Sequence, residues 1–376
     1  MTLVALWDEF LKTETIVIFI LPSETASKRI FVFMSPATLL QSSPVASHSS
    51  AFRAKLSICL IAFFITKFSF SQDSLKHDFL FTAPLAKKVN EQSRYVNKDR
   101  VWRIAGINVA GYGTSLIILN NTWYKNYPHT SFHTFNDSKE WLQTDKVGHA
   151  WTAYTTGRLS TSMWRWAGLP QKKAALIGGL SGAGYLTVIE FLDAHSSQWG
   201  WSWADIGANL FGSGLFIAQE LSWQEQRIQF KFSFHHNDYG ETQLNERADN
   251  LFGKSWYERM LKDYNAQTYW LSANLKSFFK QSNLPAWLNV SVGYGADGLL
   301  GGFENKWTNE LGNNVTRYDI PRKRQFYLSP DIDFTKIKTK SKFLRTAFSF
   351  LNSFKSPTPA LMIDSKGKMK AYVLYF

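Results

Sequence analysis

Only one cysteine, Cys59, occurs in the 376 residues. A disulfide scaffold and a Cys-based zinc site are thereby excluded. Charge is also scarce. Asp, Glu, Lys and Arg make up 19% of the chain, and 29 acids against 42 bases leave a net charge of +13. The bases are scattered rather than striped and no RNA- or DNA-binding motif occurs, so no nucleic-acid partner is expected. The G-x-S-x-G elbow, the P-loop, His-Glu-x-x-His and the Rossmann fingerprint are missing too. No helical stretch offers some twenty uninterrupted apolar residues, which argues against independent membrane spans.

Aromatic residues, by contrast, are plentiful. They make up 16% of the chain, with 15 Trp and 30 Phe. A basic, charge-poor, aromatic-rich chain suits a membrane or envelope protein, and an anionic envelope surface is its simplest counterpart. Residues 53–71 fit that setting. Arg53 and Lys55 form a basic n-region, and Leu56 to Thr66 form an apolar stretch of secretory length. Ser69-Phe70-Ser71 is a small-x-small site, so cleavage is expected between Ser71 and Gln72. Cys59 leaves with this leader. It is a poor site for lipid attachment, because Ile58 precedes it where a small residue is needed. Residues 1–52 exceed what a signal peptide requires, and a start codon assigned too far upstream is the expected explanation.

The remaining chain divides by hydrophobic period. Residues 72–100 form a polar lead-in. Residues 101–224 read as a helical domain, with helices over Gly106–Leu119, Asp145–Met163, Gln171–Leu192 and Trp203–Leu221. Small residues at spacing four, Gly178 with Gly182, Ala208 with Gly212 and Gly106 with Ala110, point to close helix packing. Residues 225–376 read as a β-rich domain, because the period changes to two. Ile228, Phe230, Phe232 and Phe234 alternate with polar residues, and Leu288, Val290, Val292 and Tyr294 repeat the pattern. The expected class is α+β: a bundle of about four helices followed by an antiparallel β-rich part. For the latter, a small membrane barrel and a soluble or surface-docked sheet both remain open.

Polar residues on these apolar helices are the informative feature. Asp145 and His149 lie at i, i+4 with Lys146 beside them. Glu190 and Asp193 lie at i, i+3, and Asp205 and Asn209 at i, i+4. Ser202 is placed to cap the fourth helix. Two readings compete. In one, Asp145, Lys146, Asp193 and Asn209 belong to a hydrogen-bonded network that orients the helices, since buried charges must be paired. In the other, His149, Glu190 and Asp205 form an acid–base or metal site in an envelope enzyme acting on lipid or glycan. His149 is then base or ligand, Glu190 and Asp193 are ligands or general acid, and Asp205 orients the imidazole. The residues specify neither a cofactor nor a protein partner.

The order Asp145-Lys146-x-x-His149, Glu190-x-x-Asp193 and Gly200-Trp201-Ser202-Trp203-x-Asp205-x-x-x-Asn209-x-x-Gly212 resembles the YfiM-type family of uncharacterised envelope proteins, known as predicted periplasmic lipoproteins. It is more distantly similar to VanZ-type membrane proteins, which share the Asp-Lys-x-x-His opening and the Asp-x-x-x-Asn-x-x-Gly close. The resemblance covers about residues 140–222. It implies a bacterial envelope location, in the periplasm or outer membrane, and the VanZ likeness implies envelope glycan or lipid chemistry. The missing lipid-attachment signal and the strands after residue 225 lie outside the resemblance.

Overall fold

The computed structural model describes residues 17–21, 29–33, 96–122, 124 and 127–375. The expected signal peptide at 53–71, the Ser71–Gln72 cleavage point and the lead-in as far as residue 95 lie outside the described residues. The chain forms two units, 1–78 and 79–376. In the first, β1 (Val17–Leu21) and β2 (Arg29–Phe33) pair antiparallel.

In the second unit, α1 (Lys98–Thr122) is followed by three helices that pack on one another: α2 (Thr144–Trp166), α3 (Gln171–Asp193) and α4 (Trp203–Ser222). Pro170 precedes α3, with no backbone N–H to leave unsatisfied. Ser202 caps α4, its Oγ accepting from the Asp205 N–H at 3.0 Å. Glycine permits the close approach of α2 to both neighbours. A Cβ at Gly178 would lie 2.4 Å from the Thr161 nitrogen, and one at Gly212 would lie 1.9 Å from the Ala150 carbonyl oxygen. The Gly106–Ala110 pair has no such role, since nothing lies within 4 Å of a Cβ at Gly106. By length and composition alone α3 is long and apolar enough to cross a bilayer, as a core helix packed between two neighbours also can be. Glu190 interrupts its apolar stretch ahead of Phe191 and Leu192, and Asp193 ends the helix.

The β-rich half contains β3 (Ile228–Phe234), α5 (Thr242–Phe252), α6 (Trp256–Lys262), β4 (Gln267–Asn274) and α7 (Leu275–Phe278). It continues with β5 (Leu288–Asp297), the short pair β6 (Lys306–Thr308) and β7 (Asn314–Thr316), β8 (Lys323–Ile332), α8 (Lys342–Leu351), β9 (Thr358–Asp364) and β10 (Met369–Tyr375). Helices α5, α6 and α8 were not expected from the alternating pattern. Six strands form one antiparallel sheet in the order β10-β9-β8-β5-β4-β3. Its ends do not pair, so the described residues form no closed barrel and that alternative is set aside. On its outer edge, β3 instead meets the segment after α8. The Phe232 N–H donates to Ser353 O at 3.0 Å, and the Lys355 N–H donates to Phe232 O at 2.9 Å.

Register aligns an apolar row across five strands: Phe230, Leu271, Val292, Leu328 and Leu361 are successive partners. At one end of the row, Phe230 and Phe232 share a core with Ala150 and Tyr154 of α2 and Phe216 of α4. The opposite face is buried and mostly polar or aromatic. There Lys231 and Asp331 pair at 2.8 Å with no side-chain exposure. Tyr375 reaches across this face, sharing a hydrogen bond with Thr268 Oγ1 at 2.9 Å and donating to the Tyr327 hydroxyl at 2.8 Å, so the sheet curls over its own polar side.

Candidate functional site

A turn over Glu140–Gln143 leads into α2, and Trp141, Leu142 and Gln143 are all left-handed, with φ of 49°, 51° and 65°. Such conformations cost about 1–3 kcal/mol each and persist where neighbours over-determine them. Here the Trp141 N–H donates to Gly302 O at 2.7 Å, and Arg324 Nη2 donates to Gln143 Oε1 at 2.7 Å. The hydroxyl of Tyr294 also donates to the Leu142 carbonyl. The turn aims the first residues of α2 at α4.

At that point Lys146 meets three carboxylates. Its Nζ donates to Asp145 Oδ2 at 3.0 Å, to Asp205 Oδ2 at 2.8 Å and, more closely still, to Asp137 Oδ2. Asp137 also accepts from Ser202 Oγ at 2.5 Å, which joins the loop before α2 to the cap of α4. The side chains involved are largely buried. Burial alone would lower the Lys146 pKa, but Asp145 and Asp205 overcome that and hold it above its ordinary value.

His149 lies one turn further along α2. Its Nδ1 donates to Asn209 Oδ1 at 3.1 Å and is 3.7 Å from Glu190 Oε1. Its Nε2 faces Asp145 Oδ1 at 4.0 Å and Asp205 Oδ1 at 3.9 Å. The two aspartates thus divide their oxygens: Oδ2 goes to Lys146 and Oδ1 faces the imidazole. Tyr264 donates to Asp145 Oδ1 at 2.8 Å. Asp205 Oδ1 and Asn209 Nδ2 are buried with no hydrogen-bond partner among the described residues.

Titration follows from this packing. Burial is opposed at His149 by the charges of Asp145, Asp205 and Glu190, which raise the imidazole above its usual range. Burial is likewise opposed at Asp145, where His149 and Lys146 keep the carboxyl low. At Glu190 burial wins and pushes the carboxyl up to about 8. At Asp205 burial, reinforced by the charge on Asp145, pushes it up to about 7. Asp205 and Glu190 are thus held well above the ordinary carboxyl range, whereas Asp145 beside them is held below it.

The cluster holds Asp145, Lys146, His149, Glu190, Asp205 and Asn209 from the sequence reading. Asp193 stands apart, accepting from the Tyr124 hydroxyl at 2.6 Å. Asp137 and Tyr264 were missed. Asp137 lies in a polar loop with no spacing signal, and Tyr264 is more than a hundred residues from Asp145. Potential ligand atoms of Asp145, His149 and Asp205 lie within 4.8 Å of one another. Metal–ligand bonds of about 2.0–2.2 Å put tetrahedral ligands about 3.4 Å apart, so a modest contraction would fit a three-ligand site. Asn209 already accepts from the imidazole nitrogen that would face away from a metal, which fixes the ring's orientation. The Lys146 ammonium opposes a cation there, because it already draws on both carboxylates. Beside Lys146 opens a cavity of about 700 Å³ between the helices and the sheet, lined by Ala150, Phe211, Phe230, Leu271, Val292 and Phe326 among others.

Residues 134–219 match the model of a family described as predicted periplasmic lipoprotein (DUF2279). That stretch contains every residue of the polar cluster except Tyr264. The match accords with export to the bacterial envelope and the periplasm. No curated protein and no solved structure matches the chain.

Proposed function

We propose that the chain is an exported cell-envelope protein whose helical part, residues 101–224, is a structural or binding module built on the Lys146 network. One observation carries this reading: a single ammonium is held by carboxylates from the entry loop, α2 and α4. A buried charge so paired ties three segments into one arrangement, and removing one partner leaves the others uncompensated. The test compares Lys146→Met and His149→Ala by thermal unfolding and by complementation of a deletion strain. Loss of folding in Lys146→Met with near-native behaviour in His149→Ala supports a structural centre. A folded His149→Ala protein that fails to complement contradicts it.

A second reading, an envelope enzyme acting on lipid, rests on the unpartnered Asp205 Oδ1 facing His149 Nε2. A buried acceptor without a donor is costly and marks a place for water, a proton or a cation. His149 would take a proton from a bound water or hydroxyl, with Asp205 and Asp145 stabilising the imidazolium and Asn209 fixing its tautomer. Glu190, neutral at pH 7, is the candidate donor. The apolar cavity beside Lys146 favours an acyl chain over a glycan, in keeping with the YfiM- and VanZ-type resemblance. Zinc titration by calorimetry separates the ligand variant: heat lost in His149→Ala and in Asp205→Asn supports it, and no heat with native protein removes it.

A further inference from the structure

Beyond the helices, the apolar row across the sheet is bare. Phe230 is 5% exposed beneath α2 and α4, whereas Val292, Leu328 and Leu361 are 55%, 51% and 54% exposed. The buried face behind them carries Ser291, Ser329 and Asp331. Polarity is thus reversed relative to a sheet with one wet face, which turns its apolar side inward. Helix α8, on the connection from β8 to β9, is reversed in the same way. Phe343, Leu344, Ala347, Phe350 and Leu351 share one helix face. Phe343 is 77% and Phe350 58% exposed, while the other side is tied to the protein through Arg158 Nη2, which donates to Ser349 O at 3.2 Å.

Charge decides what covers this surface. Lys338, Lys340 and Lys342 lead into α8 and are all exposed, and no acidic residue occurs from Thr335 to Ile363. A second copy meeting this face across a two-fold axis would bring like charges together. An anionic bilayer accepts both the lysines and the aromatic side chains, as it does for interfacial amphipathic helices.

We propose that α8, with Lys338, Lys340 and Lys342, seats the protein on an anionic lipid bilayer. Helix α8 lies in the plane of the interface, with Phe343 and Phe350 at the acyl boundary and the lysines among the headgroup phosphates. This role is independent of the Lys146 centre.

The test is flotation of the full chain with vesicles of phosphatidylcholine, alone or mixed with phosphatidylglycerol. Binding is expected only with the anionic lipid and should weaken as salt rises. Replacing the three lysines with glutamine should reduce partitioning roughly a hundredfold. Phe343→Ser with Phe350→Ser should reduce it at least about tenfold. All five side chains are exposed, and circular dichroism verifies that the variants fold. Both variants keep the amino-terminal region, so any loss belongs to α8. Absence of flotation, equal binding to neutral vesicles, or unchanged binding by the variants overturns the proposal. A dimer in sedimentation that the same substitutions dissociate also overturns it, in favour of self-association.

Discussion

Asp205 uses its two oxygens differently, and that division underlies the chemistry of the centre. Oδ2 accepts from Lys146, while Oδ1 is buried, unpartnered and turned to His149. Lys146→Met leaves Asp137, Asp145 and Asp205 without their shared cation. A loss of about 3–5 kcal/mol is expected, read from denaturant unfolding. Glu190 makes a prediction in pH. Its folded pKa, about 8, lies above the ordinary carboxyl value of 4.5, so its neutral form is favoured by folding. The stability it contributes is complete below pH 4.5 and is lost as pH rises through 8. Glu190→Gln keeps the side chain neutral at every pH. The melting temperature of the variant should therefore gain on wild type steadily between those values; parallel curves would contradict the assignment. Most of this centre was legible in sequence. Asp145 with His149 and Asp205 with Asn209 announce themselves by helical spacing, whereas Asp137 and Tyr264 arrive from segments whose approach no local pattern encodes.

Helix packing separates glycines that look alike. Gly212 and Gly106 both sit at spacing four from another small residue, yet only Gly212 meets a neighbouring backbone. Gly212→Ala should force α2 and α4 apart at a cost of about 1–3 kcal/mol. Gly106→Ala meets nothing and should stabilise α1 by about 0.5–1 kcal/mol through helix propensity. Thermal melts of the two variants in parallel test the pair. The four helices were readable because their apolar stretches and caps are local signals, as with Pro170 and Ser202. Helices α5, α6 and α8 were not, being short insertions between strands. The bases preceding α8 also look scattered until the helix places an apolar face beside them.

At the scale of the molecule, one apolar row on the sheet has two environments. Phe230 lies under helices, while Leu328, two strands beyond Leu271 on the same row, is bare. Phe230→Ala should cost about 3–5 kcal/mol in water, from lost burial and the cavity left behind. Leu328→Ser should change stability in water by no more than about 0.5 kcal/mol. Urea unfolding of both proteins measures the contrast. Equal costs would mean that the outer face is covered in solution.

By itself the sequence determined the α+β division, the four long helices, the strand alternation and the helical polar pairs. Each follows from a period of 3.6 or 2 that a few neighbouring residues are enough to express. Only the tertiary structure decided that the sheet stays open, which polar side chains converge on Lys146, and which half of the apolar row is left uncovered. Those outcomes depend on strand partners and loop approaches far apart in the chain. Alternation says that two faces differ, and only packing selects the one turned outward.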